Sequence, residues 1–135
     1  MVLFNYRGYG RSTGVPSPRD NSLDAKELVQ HLKRNCRVPR LVIHGESIGG
    51  MAAAFAAREL PGLVDFLIVD RTFCNLGAVA QYLVGGWTRP GLALFTCWNT
   101  DVRENYLSAD CPKVLCSDVD DEIIVSCWEF SWFVS

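Results

Sequence analysis

The chain has 135 residues, and 49% of them are hydrophobic, so it is long enough for one globular domain with a buried core and too short for two ordinary domains. Its formal net charge is −2 at pH 7, and its basic residues are not interleaved with aromatic side chains, which argues against a nucleic-acid-binding face. No apolar run approaches the roughly 20 residues that span a bilayer, and no secretory signal follows Met1. We therefore expect no transmembrane segment and a cytoplasmic protein.

The predicted elements alternate between strands and helices, which is typical of a parallel α/β sheet. VLFNY, residues 2–6, predicts a short buried strand, and the three glycines and two prolines in residues 7–21 predict a turn-rich loop. Apolar residues at helical spacing predict a helix over residues 22–35. RLVIH (residues 40–44) predicts a second strand, and a helix over residues 48–60 and a strand over residues 65–70 follow it.

Residues 74–110 are less regular and rich in aromatic side chains. They predict helices near residues 76–84 and 92–97, which suit a short helical lid. KVLC, residues 113–116, predicts a fourth strand that leads into an acidic loop, and the last ten residues show no clear period. We therefore expect one α/β domain over residues 1–125, with a mostly parallel sheet, helices on both faces and an atypical tail over residues 126–135.

The six cysteines form no CxxC pair and have no histidine at metal-binding spacing. Cysteines that bind zinc usually occur in CxxC pairs or near histidines, and cysteines that form disulfides are typical of small secreted domains. We therefore expect reduced and mostly buried thiols.

One pentapeptide, Gly45-Glu46-Ser47-Ile48-Gly49, fits the G-x-S-x-G pattern where a predicted strand meets a predicted helix. In a nucleophile elbow the chain turns so sharply that the serine adopts a strained backbone with an exposed hydroxyl, and small residues on both flanks avoid clashes. The helix directs its N-terminal amides at the site, where the N–H of Ile48 can donate to an oxyanion. The alternative is an ordinary glycine-rich turn.

Four motifs, NYRGYGRSTGVPSP, HGESIGG, DRTF and SDVDDEII, together resemble the α/β-hydrolase superfamily, in particular intracellular serine hydrolases of the serine-aminopeptidase-like or ABHD type. The resemblance covers about residues 2–125. It implies a partial α/β-hydrolase fold and esterase- or lipase-like cleavage of an ester, thioester or amide through an acyl-enzyme, with no cofactor and no metal. A lid at residues 74–110 would favour a small-molecule substrate with an apolar acyl chain or a lipid-like character, although its aromatic residues could equally make core contacts.

The resemblance also assigns roles within the motifs. Ser47 matches the nucleophile, the amide of Ile48 matches an oxyanion donor, and Gly45 and Gly49 match the elbow glycines. The arginines of the first loop, Arg7 and Arg11, match residues that hold loops together, so we expect both to be structural.

The catalytic acid is assigned by its place in the motif SDVDDEII. Asp121 matches it because two aliphatic residues follow one position later. Asp118 and Asp120 are alternatives in a shifted register, although both could simply cap turns in a solvated loop. Asp70, at the end of the third predicted strand, is a further alternative.

The family's general base is a histidine that follows the acid, and no histidine follows Asp121 in this sequence. Of the two histidines, His31 is expected on the exposed side of a helix and His44 is expected to point into the sheet flank. The family also places a strand between the first two strands of this chain, so a wide apolar gap is expected unless they pair directly. We therefore expect a piece of a longer hydrolase with a foreign C-terminal end; the alternative is an inactive hydrolase-like binding domain.

Overall fold

The computed structural model describes residues 1–74 and 101–117. Within these residues the strands form one sheet in the order β1-β2-β3. The helices and strands, in chain order, are α1 (Pro18–Arg34), β1 (Val42–Glu46), α2 (Gly49–Glu59), β2 (Phe66–Asp70), α3 (Val102–Ser108) and β3 (Lys113–Cys116).

The sheet is parallel throughout. β1 pairs with β2 from Val42 opposite Phe66 to Glu46 opposite Asp70, and β3 pairs with the other edge of β2. Helix α2 packs on β1 and β2, while α1 and α3 each pack against α2. A parallel sheet with helices packed around it confirms the predicted α/β class.

The two faces of the sheet differ in burial. Leu67 and Val69 are buried beneath α2, whereas Val42 and Val114 on the opposite face are 56% and 39% exposed. No helix of residues 1–74 and 101–117 packs on that second face. These residues therefore do not test the expectation that helices cover both faces.

The core is centred on α2, whose sequence GGMAAAFAARE offers mostly small side chains. Small side chains allow the helix backbone to approach the sheet and the neighbouring helices closely. The apolar residues that are buried around it come from every described helix and from β2. They include Ala25, Val29, Met51, Ala54, Ala56, Leu67, Val69, Val102 and Tyr106.

Helix α1 begins four residues before the predicted position. Ser17 caps the helix by accepting a hydrogen bond from the Asp20 amide at 3.1 Å, and Pro18 occupies the first turn. Proline suits this position because its missing N–H would have no helical partner there. The predicted loop was therefore too long at its C-terminal end.

The strand predicted at residues 2–6 is wrong. These residues have no strand assignment, and Val2, Leu3 and Phe4 are 56%, 83% and 44% exposed. They are separated from β1 by a cavity of about 490 Å³, lined also by apolar residues of α1. A strand requires a partner for its backbone groups, and none of the described strands pairs with this segment. Among the described residues an apolar cavity therefore lies where the sequence predicts a gap between two strands, and whether another segment fills it stays open.

The second predicted strand, at residues 40–44, is observed two residues later as Val42–Glu46. The last residues of the predicted irregular insert form α3, which begins at the cap residue Asp101. Its side chain accepts from the Glu104 amide at 2.9 Å, a capping arrangement that the prediction overlooked. The predicted helices near residues 76–84 and 92–97 and the tail at residues 126–135 lie outside the described residues.

Cys36, Cys111 and Cys116 are free thiols. Cys74 is buried and Cys111 is half-buried, but Cys36 and Cys116 are exposed, so the expectation of mostly buried thiols was wrong for this part of the chain. Cys36 follows the end of α1, and Cys116 lies at the end of β3. Over the same residues, no helix combines the length and the apolar character needed to cross a membrane.

Candidate active site

Ser47 lies directly after β1 and adopts a left-handed backbone with φ of 51°. A non-glycine residue in this region costs on the order of 1–3 kcal/mol, and it persists only where surrounding contacts hold it. Ser47 is exposed, and its hydroxyl makes no hydrogen bond with the described residues. Within the described part of the chain, an exposed serine hydroxyl therefore lies at the carboxyl end of a parallel strand.

The end of β2 holds the backbone of Ser47 in place. The Ser47 amide donates to the Asp70 carbonyl at 2.9 Å, which extends the ladder between β1 and β2 by one bond. The Ser47 carbonyl accepts from Thr72 Oγ1 at 3.0 Å and from the Gly50 amide at 3.1 Å. Both backbone groups of the strained residue are thus satisfied.

The glycines at the elbow (residues 45–49) are not equivalent. A Cβ added at Gly45 would lie 2.5 Å from the Gly49 carbonyl oxygen and 2.7 Å from Ala53 Cβ, so the strand can approach α2 only without a side chain there. A Cβ at Gly49 would meet nothing within 4 Å among the described residues, whereas one at Gly50 would lie 2.0 Å from Thr72 Oγ1. The expectation that both flanks of the pattern need small residues is therefore corrected: the second tight position is Gly50.

Ile48 precedes the first residue of α2 and has a helical backbone, with φ of −60° and ψ of −25°. Its N–H has no hydrogen-bond partner within residues 1–74 and 101–117, and no side chain of these residues caps the helix. The N-terminus of a helix carries a partial positive charge and favours nearby negative charge. An oxygen that becomes negative beside Ser47 could accept from this N–H.

A charged cluster lies on the face of the sheet opposite α2, close to the elbow. His44 Nε2 is 3.8 Å from Asp70 Oδ2, while Arg71 donates to Glu46 Oε1 at 2.6 Å and places its Nε 3.3 Å from Asp70 Oδ1. His44 and Glu46 share this face because alternate residues of a strand point the same way. The carboxylate of Asp70, the alternative acid, is therefore engaged with His44 and Arg71.

Neither histidine is hydrogen-bonded to Ser47 in the structure. His31 is exposed on α1, and His44 lies beside Asp70. Asp121, Asp118 and Asp120 lie outside the described residues, so their place relative to Ser47 stays a prediction. The described residues contain no group of three or more His, Cys, Asp or Glu side chains that could hold a metal ion.

The first loop is tied to α1 by Arg7. Its Nε donates to Asp24 Oδ2 at 2.8 Å, and its second guanidinium nitrogen donates to Oδ1 of the same carboxylate. The bidentate contact lowers the pKa of Asp24, mainly through the hydrogen bond from Arg7. The structural role expected for Arg7 is confirmed, whereas Arg11 is exposed.

Several known proteins are similar to the chain. It is 32% identical over 126 residues to the uncharacterized membrane protein YNL320W of Saccharomyces cerevisiae, covering 92% of this chain and 44% of the yeast protein. It is 28% identical over 139 residues to the alpha/beta hydrolase domain-containing protein WAV2 of Arabidopsis thaliana, with the same coverage of 92% and 44%. Protein bem46 of Schizosaccharomyces pombe is 32% identical over 78 residues, which cover 56% of this chain and 26% of that protein.

The plant relative carries an α/β-hydrolase domain by name, and the fold here is a parallel α/β sheet with an elbow serine. The chain is related to the α/β-hydrolase superfamily. This relationship confirms the resemblance seen in the four sequence motifs. The chain spans 44% of the length of the yeast and plant relatives. No family model and no solved structure matches it.

Two residues of the elbow region were missed by sequence reasoning. Gly50 follows the G-x-S-x-G pattern directly, and Thr72 lies in the motif DRTF, 25 positions after Ser47. The Gly49-Gly50 pair was a visible signal for a close approach at the start of α2. Nothing local to Thr72 indicates that its side chain reaches the elbow, because this contact depends on the pairing of β1 with β2.

Proposed function

We propose that the chain is the nucleophile-bearing part of a serine hydrolase that cleaves an ester, thioester or amide through an acyl-enzyme. The observation that carries the proposal is the left-handed backbone of Ser47 between a parallel strand and a helix N-terminus. This geometry costs free energy and exposes the hydroxyl, as a nucleophile elbow does. The proposal includes a small-molecule substrate that carries an acyl chain or is lipid-like.

In the proposed reaction, Ser47 Oγ attacks the carbonyl carbon while a general base removes the hydroxyl proton. The carbonyl oxygen becomes negative and accepts a hydrogen bond from the N–H of Ile48. Collapse of this intermediate expels the leaving group, which receives the proton from the base, and water then releases the acyl group by the reverse sequence. Asp121 would orient the base, with Asp118, Asp120 and Asp70 as alternatives.

The general base of this proposal is a histidine from a longer protein that contains this chain. Two facts support that assignment: the relatives are more than twice as long, and both histidines of the sequence lie away from the Ser47 hydroxyl. His44 is engaged with Asp70 on the opposite sheet face, and His31 is exposed on α1.

Labelling with a fluorophosphonate probe tests the proposal. We expect weak covalent labelling of this chain and faster labelling of a longer protein that also supplies the general base, and Ser47→Ala should abolish both, because the probe reacts with the serine hydroxyl. Ser12→Ala serves as the control, since Ser12 Oγ is occupied by donating to the Asn5 carbonyl at 3.0 Å. Labelling that persists in Ser47→Ala would remove Ser47 from the proposed role.

A second candidate function, a hydrolase-like domain that binds a ligand without turnover, is favoured by the placement of both histidines of the sequence away from the Ser47 hydroxyl. An elbow serine with an oxyanion donor but no base retains weak reactivity with a single equivalent of reagent. Repeated turnover of an activated ester that depends on Ser47 would support the hydrolase. Saturable binding of the intact ester without product would support the binding domain.

A further inference from the structure

The side chain of Thr72 links the end of β2 to the elbow and to the first turn of α2. Thr72 is 1% exposed and lies two residues after the last residue of β2. We propose that Thr72 is a positioning residue that holds the Ser47 hydroxyl and the Ile48 N–H in their reactive arrangement. This inference rests on the proposed function.

The hydroxyl of Thr72 lies between two backbone carbonyls of the elbow connection. Thr72 Oγ1 is 3.0 Å from the Ser47 carbonyl oxygen and 3.1 Å from the Asp70 carbonyl oxygen, so its single proton is shared between these two acceptors. The Asp70 carbonyl also accepts from the Ser47 amide at 2.9 Å. One buried hydroxyl therefore acts on the two carbonyls that fix Ser47, one on each strand.

The Thr72 side chain also limits how closely the backbone of α2 can approach the end of β2. A Cβ added at Gly50 would lie 2.0 Å from Thr72 Oγ1 and 2.6 Å from Thr72 Cγ2, so the helix backbone rests directly on the Thr72 side chain. Gly50 is two positions after Ile48, in the first turn of α2. Thr72 thus sets the position of the helix end that carries the oxyanion donor.

The backbone before Thr72 turns sharply as well. Arg71 has φ of 44° and donates its amide to the Cys116 carbonyl at 2.8 Å. Ser47 and Arg71 both follow the last residue of a strand, and each adds one hydrogen bond to the next strand. The turn at Arg71 is part of the path that brings Thr72 back under the elbow.

The reactivity of Ser47 should therefore depend on the Thr72 hydroxyl, although Thr72 does not touch the substrate. Displacement of a reacting group by about 1 Å can lower a rate by about a hundredfold. Loss of the Thr72 hydroxyl removes one of the two donors to the Ser47 carbonyl and leaves the Asp70 carbonyl with the Ser47 amide as its donor at the elbow. The Thr72 methyl and its packing on Gly50 are kept when threonine is replaced by valine.

The matched variants are Thr72→Val, which removes the hydroxyl, and Thr72→Ser, which keeps it. We expect Thr72→Val to lower the rate of fluorophosphonate labelling of Ser47 by about tenfold or more, and Thr72→Ser to retain most of the rate. Val102→Ala, in the buried part of α3, controls for general destabilisation and should leave the labelling rate unchanged when the protein is folded. Circular dichroism of each variant establishes that it is folded.

Amide hydrogen exchange at Ser47 and Gly50 gives a second readout that does not require reactivity. We expect faster exchange at both amides in Thr72→Val and protection close to that of the wild-type chain in Thr72→Ser. Wild-type protein that is not labelled at Ser47 would sink the proposed function, while the exchange data would still report whether Thr72 holds the elbow. Equal labelling and equal exchange in Thr72→Val and wild type, or equal losses in Thr72→Val and Val102→Ala, would overturn the positioning role.

Discussion

Around Ser47, glycine is needed for space at two positions, and neither has a positive φ. The left-handed residue of the elbow is Ser47 itself, with φ of 51°. Gly45 and Gly50 instead mark where the strand approaches α2 and where α2 rests on Thr72. Close approach, and not backbone freedom, is therefore the physical reason for both glycines.

A comparison of alanine substitutions at Gly49 and Gly50 tests this assignment. Gly50→Ala should destabilise the protein by about 1–3 kcal/mol, because the added methyl group overlaps the Thr72 side chain. Gly49→Ala, one residue earlier in the same helix, should be neutral or stabilise by up to about 1 kcal/mol, since alanine favours helix and the described residues leave space there. Urea unfolding measures both. Equal destabilisation by the two substitutions would contradict the assignment.

At the scale of the elements, two carboxylates anchor α1 at opposite ends. Asp24 accepts both hydrogen bonds from Arg7 and joins the first loop to the helix. Asp65 Oδ2 accepts from Lys33 Nζ at 2.9 Å and from the Leu41 amide at 2.7 Å, which joins the last turn of α1 to the starts of β1 and β2. The order of these elements in space therefore depends on a few polar contacts as well as on the core.

These contacts predict how stability depends on pH. Hydrogen bonds lower the pKa of Asp65, from Lys33 first and then from the Leu41 amide, and Arg7 lowers the pKa of Asp24 in the same way. A carboxyl whose pKa is lower in the folded state contributes stability above its ordinary pKa of 3.8 and loses it as the pH falls through the folded value. Stability should therefore fall on acidification, below about pH 5.

Asp65→Asn should reduce the slope with which the free energy of unfolding falls on acidification, because the substitution removes one of the two carboxyls that contribute to it. The measurement is the urea midpoint at several values of pH between about 2 and 7. Asp110→Asn, at an exposed position, is the control and should leave the slope as it is in the wild-type chain. An unchanged slope in Asp65→Asn would show that the contact with Lys33 does not contribute.

At the scale of the whole molecule, a cavity of about 490 Å³ lies beside β1. It lies between the N-terminal residues, α1 and the outer edge of β1, where the described residues provide no strand. Its lining is largely apolar and includes Leu28, Val29, Leu32 and Ile43. Apolar surface of this kind binds hydrophobic molecules that water would otherwise surround.

The dye anilinonaphthalene sulfonate should therefore become fluorescent with this protein. Val42→Glu should reduce the fluorescence, because it places a charge in the lining of the cavity. Val42 is 56% exposed, so the substitution should have little effect on the folded core. Leu107→Glu is the matched control on α3, at a position that is 51% exposed and outside the cavity lining. A signal that both variants reduce equally would place dye binding elsewhere.

Local patterns in the sequence were enough for the class of fold and for most elements of the described residues. Apolar residues at helical spacing located most of α1, because they form its one buried face. Short apolar runs located β2 and β3, and the small residues after the G-x-S-x-G pattern located α2. The G-x-S-x-G pattern located Ser47 because the turn from strand to helix is local. Ser17 and Pro18 begin α1 in the structure, but the prediction assigned both to the loop because of its three glycines and two prolines.

The tertiary structure decided what depends on residues that are distant in the sequence. Residues 2–6 have the composition of a strand and do not form one, because a strand exists only where another strand accepts its hydrogen bonds. The close approach of Gly50 to Thr72 and the hydrogen bond from Thr72 to the Ser47 carbonyl follow from the pairing of β1 with β2. The sequence by itself determined that Ser47 is held in an elbow, and only the packing of β2 and α2 determined which residues hold it.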